Sequence, residues 1–320
     1  MRKPVSRVEM GKRLTLSKLL GCVTIILLIQ SCTNSKLLIS PLYNRLDDRM
    51  RSAFNELGDF NDEQKTAFEQ SVGTFHVWHR QSELPLYADL MQQVATSIAQ
   101  ADTDETHVQQ WMDEAEIYTR RARECHPINF SFDLMKSLTD EQFDFIEAHF
   151  REEQQENRER YNSRTPEERV QRRIRNTIKW AGRINLQITP TQRAMLLTAF
   201  KKQISLRKEY YELSGEWNRQ FFTLAKQQNN PNYNEDISTH LDRLWGLLEN
   251  GHPEQWQANR DLWKATALRF VKSMTNEQRV LVSRWLKKMA ATLKSISRDK
   301  PSFKVVNDPG LGCLVNPDEA

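Results

Sequence analysis

His76, His79 and Glu83 stand at i, i+3 and i+7, a spacing that lines up two imidazoles and a carboxylate along one face of a helix. Those ligand types suit a transition metal. A zinc centre, however, needs a fourth ligand or a water, and partners that orient its histidines. His126, His149, His240 and His252 are scattered, and H-E-x-x-H is absent. The expectation is therefore no metal and no cofactor. A packed, hydrogen-bonded cluster at a helix kink accounts for the same residues. His79, Arg80, Glu83 and Tyr87 surround Pro85, which removes a helical N–H and pushes Leu84 out of α geometry. His79, Arg80 and Glu83 are expected to form one buried polar network that fixes the angle between two helices. Covalent catalysis has less to stand on. There is no G-x-S-x-G elbow, and Cys125 beside His126 is only a dipeptide, which a triad does not require. The chain reads as a non-enzyme, with a metal or catalytic site at His76, His79 and Glu83 ranked last.

Cys32 offers a different chemistry. Arg2, Lys3, Arg7, Lys12, Arg13 and Lys18 precede an 11-residue apolar run from Leu19 to Ile29, which ends in Gln30, Ser31 and Cys32. The run matches a secretory core of about 7–15 apolar residues and falls short of the ~20 that a spanning helix needs. The stretch resembles a bacterial lipoprotein signal peptide, with small Ser31 before the cysteine and Gln30 departing from the usual pattern. That resemblance implies cleavage after residue 31 and lipidation of Cys32. Thr33, in place of a retention aspartate, implies the outer membrane, with the body facing the periplasm. One acyl chain holds a protein only marginally at a membrane, and a triacylated cysteine meets the need for more. Cys22 leaves with the leader, so Cys125 and Cys313 remain, in a compartment that permits a disulfide between them. Cys313 sits in a Pro/Gly-rich tail that need not pack, so two unpaired thiols are the first reading and the disulfide the second.

The formal charge of +4 belongs to the leader. Residues 1–31 hold six basic side chains and one acid, which leaves 40 basic against 41 acidic in the body. A near-neutral body has no global field for nucleic acid. The 10 glycines and 11 prolines are few for 320 residues, and there is no G-x-G-x-x-G and no P-loop. Sparse turn formers argue for long helices.

The helices announce their own beginnings. Asn61-Asp62-Glu63-Gln64, Thr139-Asp140-Glu141-Gln142, Thr189-Pro190-Thr191-Gln192 and Thr275-Asn276-Glu277-Gln278 each follow an apolar residue. Each reads as a capping box, with the Asn or Thr side chain accepting a first-turn N–H and the Gln reaching back. Thr165 and Glu168 form another. The first and third boxes are 128 residues apart and the second and fourth 136, which suggests a duplicated helical unit. The segmentation is a leader (1–31), a tether (32–40), two helical halves (41–160 and 161–296) and a mobile tail (297–320). Residues 151–183 carry ten basic and six acidic side chains. A solvated helix face is the main reading there, and contact with an anionic headgroup or peptidoglycan the lesser one. The longest predicted helix runs from Pro190 to about Gln228, with Gly215 as the place where it would bend or split. The eight tryptophans mostly fall on apolar stripes and are expected in the core.

The lipobox, Trp78-His79-Arg80 followed by Glu83-Leu84-Pro85-x-Tyr87, Trp180-x-Gly182-Arg183 and the repeated T-x-x-Q boxes together resemble an uncharacterised family of proteobacterial lipoproteins, over most of residues 32–295. The resemblance implies an envelope location and helicity and no chemistry. The T-x-x-Q boxes alone are similar to those of the Spy/CpxP periplasmic chaperones. The expected fold is all-α, roughly nine to eleven helices in a bundle-like or elongated array. The expected function is an outer-membrane lipoprotein, anchored through Cys32, with a non-enzymatic binding or envelope-maintenance role and an envelope protein or peptidoglycan as partner. A chaperone-like holder of unfolded clients is the alternative.

Overall fold

The computed structural model describes Tyr43 and residues 45–299. The leader, Cys32, the tether and Cys313 therefore lie outside the described residues. The chain forms α1 (Leu46–Glu56), α2 (Asp62–Trp78), a π-helical turn (His79–Glu83), α3 (Leu84–Gln100), α4 (Glu105–Glu124), a 3-10 turn (Pro127–Phe130), α5 (Phe132–Ser137) and α6 (Asp140–Asn162). It continues as α7 (Pro166–Arg183), α8 (Pro190–Lys202), α9 (Arg207–Ala225), α10 (Tyr233–Leu244), α11 (Leu247–Gly251), α12 (Pro253–Lys272) and α13 (Asn276–Arg298). No strand occurs among the described residues, and the fold is all-α.

All five expected capping boxes form. Asn61, Thr139, Thr165, Thr189 and Thr275 each accept the N–H of the residue three further on, whose side chain returns to the cap's own N–H. Each satisfies two donors that a helix start leaves orphaned. The glutamines do more than cap. Gln64 and Gln142 donate to each other through their carboxamides, at 3.0 Å in both directions. Their second N–H bonds go to the carbonyls of Ser137 and Asp59, two residues ahead of the opposite cap, each at 2.8 Å. Gln192 and Gln278 repeat the arrangement, at 2.8 and 2.9 Å to each other and with further bonds to Ser273 and Gln187. Two helix starts are thereby clasped together twice, with both donors and both lone pairs of every carboxamide used.

Pro85 does not break its helix. Leu84 keeps right-handed helical angles (φ −59°, ψ −36°), contrary to the expected extended geometry. The chain widens instead: the Leu84 N–H donates to the His79 carbonyl, five residues back. One π turn makes room for the ring and absorbs the missing N–H while the helix runs on. The predicted long helix of residues 190–228 does divide, but at Gln203, whose ψ of 124° is extended, and not at Gly215. Gly215 lies within α9, where a Cβ would stand 3.2 Å from Gln154 Oε1. Its bare face lets α6 come close enough for Gln154 to bond Ser214 Oγ at 2.8 Å and the Tyr211 carbonyl at 3.2 Å. This division and the short α5 and α11 explain why there are more helices than expected.

The core falls into several clusters. The largest joins Phe54 and Phe60 of the first box region to Phe143 and Ile146 of α6, Trp217, Phe221 and Phe222 of α9, and Ile237 and Leu241 of α10. A second seals α3 against α13 through Leu84, Tyr87, Ala88, Met289, Ala290, Leu293 and Ile296. Ala88, Ala95 and Ala290 are fully buried, so the two backbones approach closely along this antiparallel pair. Of the tryptophans, Trp78 and Trp217 are buried and the other six are half-buried.

Candidate functional site

The π turn concentrates the polar residues singled out by the sequence, yet it points them at three different neighbours. Half-buried His79 bonds through Nδ1 to the Tyr43 hydroxyl at 2.9 Å. Buried Arg80 donates to the Ile296 carbonyl at 3.1 Å, near the end of α13, and lies over the Tyr43 ring. Fully buried Glu83 accepts two bonds on Oε1 from Arg121 of α4, at 2.7 and 2.9 Å. Tyr87 sits edge-on to His79 and against Tyr118. The expected network of His79, Arg80 and Glu83 divides in two: His79 and Arg80 both meet Tyr43, with Arg80 reaching on to α13, while Glu83 is tied to Arg121 of α4. The residues that the sequence did not offer are Tyr43 and Arg121, which lie 36 and 38 positions from their partners.

The electrostatics match a structural joint. Burial, with Arg80 beside it, lowers the His76 pKa to about 4. Burial, with His76 and Arg80 adding repulsion, lowers His79 to about 3. Both rings are neutral at pH 7. Burial pushes Glu83 upward, and Arg121 offsets part of that rise. Tyr87 is also pushed up, chiefly by burial. His76, His79 and Glu83 do not converge: among the described residues no three His, Cys, Asp or Glu side chains form a set that could hold a metal ion. Cys125 is buried against Phe75 and Trp78, and Cys313 lies outside the described residues.

A second place was not read from the sequence. A trough of about 740 Å³ opens between α6 and α9, with α1, the 3-10 turn, α5 and α7 completing its walls. Its two ends differ. Phe54, Leu138, Phe143, Ile146, Phe150, Trp217, Phe221 and Phe222 line one; Arg160, Arg164, Arg169, Arg172, Arg173 and Arg207 gather at the other, with Tyr161, Tyr210 and Tyr211 beside them. The polarity follows from how α6 and α9 run. Phe150 meets Phe222 at one end, while the Tyr161 hydroxyl bonds Ser205, just before α9, at the other. The helices are therefore antiparallel, with their apolar segments together and their basic segments together. In sequence, residues 151–183 look like a solvated charged face because the wall opposite them comes from α9, some fifty residues on. The volume is within the ~300–1,000 Å³ typical of small-molecule sites.

These features define an all-α protein with a clasped helical frame and one polarised apolar trough. The chain belongs to the family of unknown function DUF6279, whose model matches residues 56–250. That span contains the π turn, the first clasp and every residue of the trough except Met50 and Phe54. No curated protein and no solved structure matches the chain.

Proposed function

We propose that this protein is a lipid-anchored envelope protein, held at the outer membrane through Cys32 and facing the periplasm, which binds an apolar ligand in the trough without chemistry on it. The trough carries the reading. Aromatic and aliphatic side chains from several helices line a cavity large enough for a ligand. The 11-residue apolar run before Cys32 supports the compartment. Among the described residues no helix is long and apolar enough to cross a membrane. The client-holding alternative would favour a broad exposed apolar face. The large apolar side chains that stand exposed, Ile117, Phe145, Ile204 and Val280, lie on different elements instead.

The test is photolabelling of the full chain in phosphatidylcholine vesicles with a lysophosphatidylcholine whose acyl chain carries a diazirine. Adducts are expected on peptides of α6 and α9 around Phe150, Trp217 and Phe221. Labelling confined to the segment next to Cys32 and to outer helix faces would remove the trough as a binding site.

A further inference from the structure

Resting on that reading, the geometry points to the ligand class: we infer that the trough holds a single acyl chain whose phosphate headgroup lies among Arg169, Arg172, Arg173 and Arg207. Four observations carry this. The first is shape: along α6 the lining runs from Phe143 to Arg160, about 25 Å at 1.5 Å per residue. That exceeds the ~15 Å which one leaflet gives an acyl chain, and it leaves room for a headgroup.

The second is the separation of chemistries. The apolar end offers an acyl chain side chains such as Phe143, Phe221 and Leu138, with no charged group among them. The basic end would be wasted on a neutral hydrocarbon.

The third is charge balance. Glu153 is the acid that lines the trough, against six arginines. Arg160 pairs with Glu156 at 3.7 Å, whereas among the described residues no carboxylate forms an ion pair with Arg164, Arg169, Arg172, Arg173 or Arg207. Burial lowers the Arg173 pKa, and Arg207 and Arg169 lower it further, so these guanidinium groups lie near enough to repel one another. An anion placed between them relieves that repulsion.

The fourth is preparation. Arg169 is held over the Tyr161 ring at 4.3 Å and bonds the carbonyls of Tyr161 and Arg164. Arg207 lies over Tyr210 and Tyr211. Stacked guanidinium planes keep their forks positioned at little entropic cost, and a phosphate can take two N–H bonds from each fork. We therefore commit to a phosphate-bearing membrane lipid in its single-chain form.

The experiment compares headgroups. The full chain in phosphatidylcholine vesicles is photolabelled with lysophosphatidylglycerol or with a monoacylglycerol, which lacks the phosphate, each carrying the same diazirine acyl chain. The anionic lipid should label α6 and α9 peptides roughly tenfold more, the effect of about one charge-assisted hydrogen bond. The triple variant Arg172→Gln, Arg173→Gln, Arg207→Gln should bring the anionic yield down to the monoacylglycerol yield and leave the latter unchanged. Equal labelling of the trough by both lipids in wild type would overturn the headgroup assignment while leaving the apolar site standing. A preference that survives the triple variant would overturn it as well. No trough labelling by either lipid would remove both readings, leaving another segment of this chain or a second copy as the occupant.

Discussion

Gln64 and Gln142 each finish a capping box and then hold each other, Nε2 to Oε1 in both directions at 3.0 Å. Each carboxamide oxygen also accepts its own cap's N–H, from Asn61 and Thr139 respectively, at 3.0 Å. A motif that is complete as a local cap is therefore also a long-range tie. Gln192 and Gln278 do the same in the second half of the chain, and Gln192 is fully buried. The clasps fall one within each candidate repeat, while α3 and α13 pack across from one repeat to the other.

The first prediction separates the two roles. Thr139→Ala removes a cap and should cost about 1 kcal/mol. Gln142→Ala removes the same box and also strands the Gln64 carboxamide and the Asp59 carbonyl, so it should cost more, about 2–3 kcal/mol. In a double-mutant cycle from urea unfolding, Gln64→Ala and Gln142→Ala should couple by at least ~0.5 kcal/mol. Strict additivity would mean that the clasp adds nothing to the caps.

The second prediction concerns anchoring. Cys32→Ala should abolish incorporation of a clickable palmitate analogue and leave an uncleaved precursor that migrates more slowly. Labelling that persists in the variant would place the lipid elsewhere and end the lipoprotein reading.

Much of this was legible in the sequence because it is local. A cap is written within four residues, and an apolar stripe within two turns, so the helix starts and the all-α class could be read directly. Pro85 was visible, but its consequence was not: whether a helix breaks or widens depends on packing, here of Leu84 and Tyr87 against α13. The Gln203 division carries no glycine or proline to mark it, whereas Gly215, which looked like a breaker, serves close approach to α6. Tyr43, Arg121 and the trough depend on residues far apart in the chain. No spacing rule connects Arg169 with Arg207, or Phe150 with Phe222.

A third prediction addresses the tie between the π turn and α4. Glu83 is fully buried, and Arg121 supplies both bonds to its Oε1. Arg121→Met should destabilise by about 3–5 kcal/mol, because it leaves a buried carboxylate uncompensated. Adding Glu83→Gln should recover most of that loss. Arg80→Ala should cost about 1–3 kcal/mol, since the Ile296 carbonyl keeps only the Asp299 N–H and the guanidinium over the Tyr43 ring is lost. Chemical unfolding of the four proteins measures this. A double variant no more stable than Arg121→Met alone would show that charge burial is not the cause.

The last prediction follows from the two neutral histidines. A histidine has a pKa near 6.5 in the unfolded chain, whereas the fold holds His76 at about 4 and His79 at about 3. Between these values the unfolded chain takes up protons that the folded chain refuses. The stabilisation is therefore complete above pH 6.5 and is lost as pH falls toward 4 and 3. Glu83, pushed upward by burial, acts in the opposite sense, because the fold favours its protonated form more than the unfolded chain does. His76→Gln keeps Glu83 and His79 and removes one titrating ring. Between pH 7 and pH 4 the wild type should lose more unfolding free energy than this variant, by about 3 kcal/mol. Urea melts at the two pH values give the difference, and parallel curves would show that His76 titrates normally. Zinc added at pH 7 should leave the wild-type melting temperature unchanged, since His79 Nδ1 is bonded to Tyr43 and Glu83 to Arg121. A zinc-dependent rise that His79→Ala removes would instead make this turn a metal site.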